Sequence, residues 1–299
     1  MINKKLKNKL NNFIKDGFIE VPSLLNKKDC SRLYNSLKNR RNWGTKIFQS
    51  EKNYKKEFLN KPKTKLNPGK GIQNLVDEYN LDFIEKNKSV IELLKSILGE
   101  KYTIMLSKFV VAVPTEWMPN YVKKLDEKGL NQNINSFIKK EFRDVSYFRG
   151  IDYHMDSIDW QKNNNKFITM YIYLNNIDKT MSPLNVMKGS HIFGHTFFPH
   201  FIKKDKSHLN VEYSSDNKNF KKFKNQTLIG KRGTLYIWTS NTLHGTAPMS
   251  FDKKVNFRIS LRYLIKKNFK SKGIIDKIIK QRIVGKTRSE NNSYKRILI

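Results

Sequence analysis

From Tyr102 onward the chain changes period, and that change constrains the fold more than any other feature. Before it, apolar residues recur at helical spacing. "LKNKLNNFIKDGF" puts Leu6, Leu10, Phe13 and Ile14 on one face and stops at Gly17. "NKKDCSRLYNSL" starts from Asn26 as a cap, with Asp29 three residues on, and carries the stripe Cys30, Leu33, Tyr34, Leu37. "FIEKNKSVIELLKSILGE" carries Val90, Ile91, Leu94, Ile97 and Leu98 before a stop at Gly99. Between the first two helices "GFIEVPSLL" reads as extended. After Tyr102 come "YTIMLSKFVVAV", "RDVSYFRGIDYH", "KFITMYIYLNN", "GTLYIWTS" and "KVNFRISLRYLI", short β-branched and aromatic runs bounded by Asn, Gly or Pro. Short strands that follow helices, without regular strand–helix alternation, predict a mainly β fold: an antiparallel sandwich or barrel with helices packed outside.

Two polar stretches interrupt the strands. Residues 118–143 read as a helical insertion, and residues 202–226 as a long basic loop. The 299 residues, 38% of them hydrophobic, suffice for one large core, so residues 1–265 are expected to form a single domain with a basic tail over 266–299. In that tail Ile274, Ile275, Ile278, Ile279 and Ile283 line one face of a possible helix. One cysteine, Cys30, excludes an internal disulfide framework and suits a reducing compartment. The basic start lacks the continuous apolar stretch of a signal peptide, and no run is long enough to span a bilayer. A cytoplasmic protein is the expectation.

The formal charge of +33 invites a nucleic-acid reading, because basic surfaces release counterions when they neutralise phosphates. The lysines, however, are scattered among many asparagines and isoleucines, and no helix-turn-helix, zinc-finger, RRM or KH signature accompanies them. That argues against dedicated nucleic-acid binding.

The chemistry concentrates in "YHMDSIDW". On a strand leading into a turn, residues i and i+2 point the same way, so His154 and Asp156 share a face while Met155 points away. Asp152 also shares the face of His154 and is a weaker substitute for Asp156. A third ligand is best supplied by His244 in "WTSNTLHGTAPM", where a strand end opens into a turn. Two imidazoles and one carboxylate with open positions suit a non-haem Fe(II) centre; a structural zinc site would want four protein ligands, usually with thiolates. Downstream, "NFRIS" places Arg258 and Ser260 on one strand face, where a guanidinium fork and a hydroxyl can grip a carboxylate. Arg262 lies on the same face and is the alternative anchor.

Several segments resemble the phytanoyl-CoA dioxygenase (PhyH) family of Fe(II)- and 2-oxoglutarate-dependent oxygenases. "FIKDGFIEVPSLLNKKDCSRL" is similar to that family's N-terminal helix, Gly-Phe strand and following helix. "PLNVMKGSHIFGH" resembles its Gly-Ser-His turn, and "HGTAPM" with "NFRISLRY" its distal His and closing strand. The similarity runs from about Phe13 to Leu264. It implies a double-stranded β-helix (jelly roll, cupin-like) core, with His154, Asp156 and His244 as iron ligands. Arg258 and Ser260 would hold the cosubstrate 2-oxoglutarate, joined by Thr246 after the distal His and by Tyr171 as the aromatic residue beside it. With the carboxylate Asp156 present, the resemblance implies hydroxylation or a related oxidation rather than halogenation, consuming O2 and releasing succinate and CO2; the basic insertions point to a small-molecule or anionic substrate. The competing reading is a non-catalytic jelly-roll protein that uses its basic surface on nucleic acid or anionic lipid.

The remaining side chains have plainer expected roles. His191 reads as a turn residue behind the ligands, Trp238 as core, Trp160 as a candidate for the pocket wall, His195 and His200 equally as pocket-facing or as surface and packing residues, and His208 as solvated.

Overall fold

The computed structural model describes residues 4–58, 66, 68, 72–127, 133–159, 166–193, 195–196, 201–204, 209–214, 218–246, 257–279, 283–284 and 297–298. The helices are α1 (Lys4–Asp16), α2 (Lys27–Asn39), α3 (Glu51–Phe58), α4 (Asp82–Glu85), α5 (Lys88–Leu98), α6 (Asn120–Glu127) and α7 (Ile275–Ile278). The early strands are β1 (Phe18–Val21), β2 (Tyr102–Ala112), β3 (Ser146–Phe148), β4 (Ile151–His154), β5 (Phe167–Tyr173), β6 (Leu184–Met187) and β7 (His195–Thr196). They are followed by β8 (Phe201–Lys204), β9 (Asn210–Ser214), β10 (Lys221–Leu228), β11 (Leu235–Thr239), β12 (His244–Thr246), β13 (Ile259–Lys267), β14 (Ile283–Val284) and β15 (Ile297–Leu298).

Two sheets carry the architecture. The large one runs β1-β11-β5-β13-β2-β3 and the small one β15-β8-β9-β10-β6-β12-β4. Both are antiparallel except where β2 meets β3 and β15 meets β8. Mixed helix and sheet with two largely antiparallel sheets is compatible with a jelly roll. One apolar cluster joins Phe13, Cys30, Leu37, Leu94 and Ile97 of the helices to Ile168, Ile172, Ile237, Leu261 and Ile265 of the large sheet. Each such burial stabilises by about 1.5–3 kcal/mol.

The helical third follows the apolar spacing closely. Asn26 caps α2, its side chain accepting from the Lys28 amide at 2.8 Å, and Cys30, Leu33, Tyr34 and Leu37 are all buried. α5 ends at Gly99, whose φ of 89° suits a residue without Cβ. Two details differ from the expected stripes. Ile14 stays 41% exposed because α1 buries only its Leu10 and Phe13 edge, and α5 buries Leu93 where Ile91 was expected to lie inside.

The larger correction concerns residues 202–226. The described part is not a loop but strands β8, β9 and β10 of the small sheet. Lysines disguise the alternation: Ile202, Val211, Tyr213 and Phe223 point into one apolar cluster, while Lys203, Glu212 and Lys222 stand opposite one another on the other face. Such lysines on outer strands discourage pairing with other chains. In 118–143 the structure has α6 and two short 3-10 turns, Asn135–Phe137 and Lys140–Phe142. Near the C-terminus α7 is a single turn, so no helix presents all five isoleucines; Ile275 and Ile279 enter the main core and Ile283 lies in β14. Among the described residues, no helix is long and apolar enough to cross a membrane.

Candidate metal centre

β4 ends in His154 and β12 begins with His244, and the pairing register puts the two directly opposite each other. Their ring centroids are 4.4 Å apart. The chain then turns: the Ser157 amide donates to the Ser240 carbonyl at 3.1 Å, which brings Asp156 back between the rings. Its Oδ1 lies 3.9 Å from His154 Nε2 and its Oδ2 3.7 Å from His244 Nε2. One donor atom from each of the three side chains falls within 4.8 Å of the others, a grouping able to hold a metal ion. Met155 points away, fully buried with Tyr153, Met187 and Leu243. The period of two along a strand produces this opposition.

His244 is oriented by a backbone contact. Its Nδ1 donates to the Thr242 carbonyl at 2.9 Å, which leaves the Nε2 lone pair facing Asp156. Burial pushes the His244 pKa down, outweighing the pull of Asp156 and the carbonyl, so the imidazole is neutral at pH 7. Asp156 goes the other way. Burial alone would raise its pKa, but Arg262, His244, His154 and the Thr169 hydrogen bond together hold it well below the ordinary carboxylate range. A neutral imidazole and an ionised carboxylate are the protonation states that metal ligation requires.

The large sheet holds the Asp156 carboxylate from the other side. Thr169 Oγ1 donates to Oδ2 at 2.5 Å, Trp238 Nε1 donates to the same oxygen at 2.9 Å, and Arg262 donates to Oδ1. Trp238 was expected to be simple core, and its indole N–H adds a polar role. Thr169 shares its strand face with Phe167, Tyr171 and Tyr173, and it is the small hydroxyl among them that reaches Asp156, a signal that sequence reading passed over.

Arg258, Ser260 and Arg262 alternate on one face of the strand that becomes β13, about 7 Å between successive members. Arg262 is taken up by Asp156. Arg258 is only 1% exposed, and among the described residues its Nε and Nη1 meet no hydrogen-bond acceptor. The Ser260 and Thr246 hydroxyls are likewise buried without a partner. Tyr171 sits beside them, the Arg258 guanidinium carbon 5.8 Å from its ring centroid. Tyr173 is fully buried nearby, its hydroxyl donating to the Leu228 carbonyl at 2.8 Å and accepting from the Leu184 amide at 3.2 Å.

The Gly-Ser-His turn is scaffold rather than ligand. Ser190 Oγ donates to the Met187 carbonyl at 2.8 Å and accepts from the Leu243 amide at 2.9 Å, fixing the residue before His244. His191 Nε2 lies 3.0 Å from the Ile14 carbonyl, and Thr242 donates to the Gly17 carbonyl at 2.8 Å, so the end of α1 is tied to the same turn. Trp160, His200 and His208 lie outside the described residues; His195 lies in β7.

No protein-family model matches the chain, and no curated protein sequence matches it. Among solved structures it is similar to the non-heme alpha ketoglutarate dependent epimerase SnoN from nogalamycin biosynthesis. That match has a TM-score of 0.50 and 10% identity, covering 88% of this chain and 83% of that one. SnoN in complex with Fe3+, alpha ketoglutarate and nogalamycin RO matches with the same score and identity, over 88% of this chain and 84% of that one. At that identity, what the two proteins demonstrably share is the fold.

Proposed function

We propose that this chain is an iron(II)- and 2-oxoglutarate-dependent oxygenase of the phytanoyl-CoA dioxygenase type, built on a double-stranded β-helix. Residues 1–265 would form the oxygenase domain, with 266–299 appended to it. The observation that carries the reading is a His–Asp–His cluster beside a buried guanidinium with unsatisfied donors. Buried donors of this kind are costly unless something accepts from them, and a carboxylate is the acceptor whose charge and geometry fit. His154, Asp156 and His244 would hold the iron. Arg258, with the Ser260 and Thr246 hydroxyls, would take the distal carboxylate of 2-oxoglutarate, and Tyr171 would flank its carbon chain. SnoN, named in complex with Fe3+ and alpha ketoglutarate, supports this choice of partners.

Bound iron and 2-oxoglutarate supply the oxidising chemistry, in which O2 is consumed and succinate and CO2 are released. The protein's own residues do the positioning. Asp156 stays ionised and His244 keeps its Nε2 lone pair turned inward. With Asp156 in place, the outcome we favour is hydroxylation of a C–H bond. The substrate is a small molecule, and the excess of basic side chains favours an anionic one. The lone buried thiol Cys30 suits a cytoplasmic setting.

Anaerobic calorimetry tests the cosubstrate half. 2-Oxoglutarate should bind wild type in the presence of Mn(II) and fail to bind Arg258→Met. Equal binding by both proteins would refute the assigned pocket.

A further inference from the structure

By chain order Asp156 follows the small sheet, opening the 3-10 turn Asp156–Asp159 two residues after β4 ends, yet its carboxylate is gripped by the large sheet. Its three donors, Trp238, Thr169 and Arg262, come from β11, β5 and β13, which are adjacent strands. Trp238 and Thr169 stand directly opposite each other in register, and Arg262 is one strand over, opposite Tyr171. A carboxylate has about four acceptor positions. Thr169 and Trp238 fill both on Oδ2, and Arg262 takes one on Oδ1, so a single position remains. It is on the oxygen nearer His154 Nε2.

Packing alone does not call for these residue types. Phe or Leu at 238, Val at 169 and Met at 262 would serve an apolar core without a polar atom to satisfy. What the three polar side chains share is Asp156. The Trp238 ring also packs 4.8 Å from the His244 ring, so the same indole touches two of the three candidate ligands.

The geometry points to Arg262, Trp238 and Thr169 as a positioning clamp: the large sheet turns the Asp156 carboxylate toward the two imidazoles and thereby sets the metal affinity of the triad. This inference rests on the metal-binding reading of His154, Asp156 and His244. Arg262 is then a positioning residue for the metal carboxylate, while Arg258 serves the cosubstrate.

Co(II) binding is the test, because it reports both affinity and, through its ligand-field absorption, the arrangement of the ligands. Full-length wild type is compared with Asp156→Ala, Arg262→Met, Arg262→Lys and Trp238→Phe, each first checked for cooperative melting without metal. Losing a hydrogen-bond partner of a ligand typically weakens metal binding about 10–100-fold. Arg262→Met and Trp238→Phe should show that loss together with an altered absorption, and Arg262→Lys should recover part of it. Should Arg262→Met not fold, Trp238→Phe decides, since it removes the N–H that donates to Asp156 while keeping an aromatic ring in the core, and its metal-free melt reports the packing loss separately. If both bind Co(II) with wild-type affinity and spectrum while Asp156→Ala does not bind, the clamp is refuted and the metal site stands. If Asp156→Ala binds as well as wild type, the metal reading fails and the clamp falls with it.

Discussion

Replacing Arg258 by methionine should make the empty protein more stable while removing its response to 2-oxoglutarate. Arg258 is 1% exposed, and among the described residues its Nε and Nη1 have no acceptor. Each unmet buried donor costs about 1–3 kcal/mol, and the charge adds to that. Against it stands the cation–π contact with Tyr171, about 1 kcal/mol to 2 kcal/mol at a desolvated site. Methionine fills a similar volume without donors, so even with each donor at the low end of that range the balance favours the variant by about 1 kcal/mol. At roughly 2–4 °C per kcal/mol for domains somewhat smaller than this one, the midpoint should rise by about 3 °C. With Mn(II) present, adding 2-oxoglutarate at about 100 times its dissociation constant should stabilise wild type by about 2.7 kcal/mol and leave the variant unmoved. Differential scanning calorimetry of both proteins, with and without the cosubstrate, reads all four numbers. A variant that melts lower than wild type and still shifts with 2-oxoglutarate would refute the reasoning.

Other positions are equally testable. Gly17→Ala should destabilise by about 1–3 kcal/mol in urea titration, because φ is +76° there and a Cβ would lie 2.4 Å from His191 Nδ1; a change within 0.5 kcal/mol would contradict the packing. His191 is buried and its pKa is lowered, chiefly by desolvation, so the unfolded chain takes up a proton near pH 6.5 that the folded chain resists. Wild type should therefore lose stability as pH falls below about 6.5, and lose more than His191→Asn does; parallel pH–midpoint curves would sink that assignment. Arg41 holds Asp144 through both carboxylate oxygens, at 2.8 and 2.5 Å, with both side chains largely buried. Arg41→Leu should cost about 3–5 kcal/mol by stranding that carboxylate, and a cost under 1 kcal/mol would count against it. Cys30 is buried with its thiol pushed up to about 11, so iodoacetamide at pH 8 should label it only after denaturation.

Legibility from sequence followed the physics of each segment. The helices were readable because their apolar stripes are dense and their caps are explicit, as Asn26 and Gly99 illustrate. The central strands were readable because buried β-branched and aromatic runs resemble little else. β8 to β10 were not, since outer-face lysines broke the apolar content that marks a strand. In the candidate site, the strand alternation turned Met155 away from His154, but β4 ends at His154 and it is the 3-10 turn opening at Asp156 that brings the carboxylate to the imidazoles. The partners of Asp156 did not, because Thr169, Trp238 and Arg262 reach it only once two sheets face each other. Arg258 and Arg262 were indistinguishable on one strand face; in three dimensions Arg262 meets Asp156, whereas Arg258 lies over Tyr171 with its Nε and Nη1 lacking an acceptor among the described residues.

The most direct test of the oxygenase reading is succinate release. Wild type, reconstituted anaerobically with Fe(II) and 2-oxoglutarate and then exposed to O2, should release succinate, slowly even without its substrate. Asp156→Ala and His244→Ala should release none above the iron-only control. Succinate from wild type at the rate of Asp156→Ala, with both at background, would contradict the account.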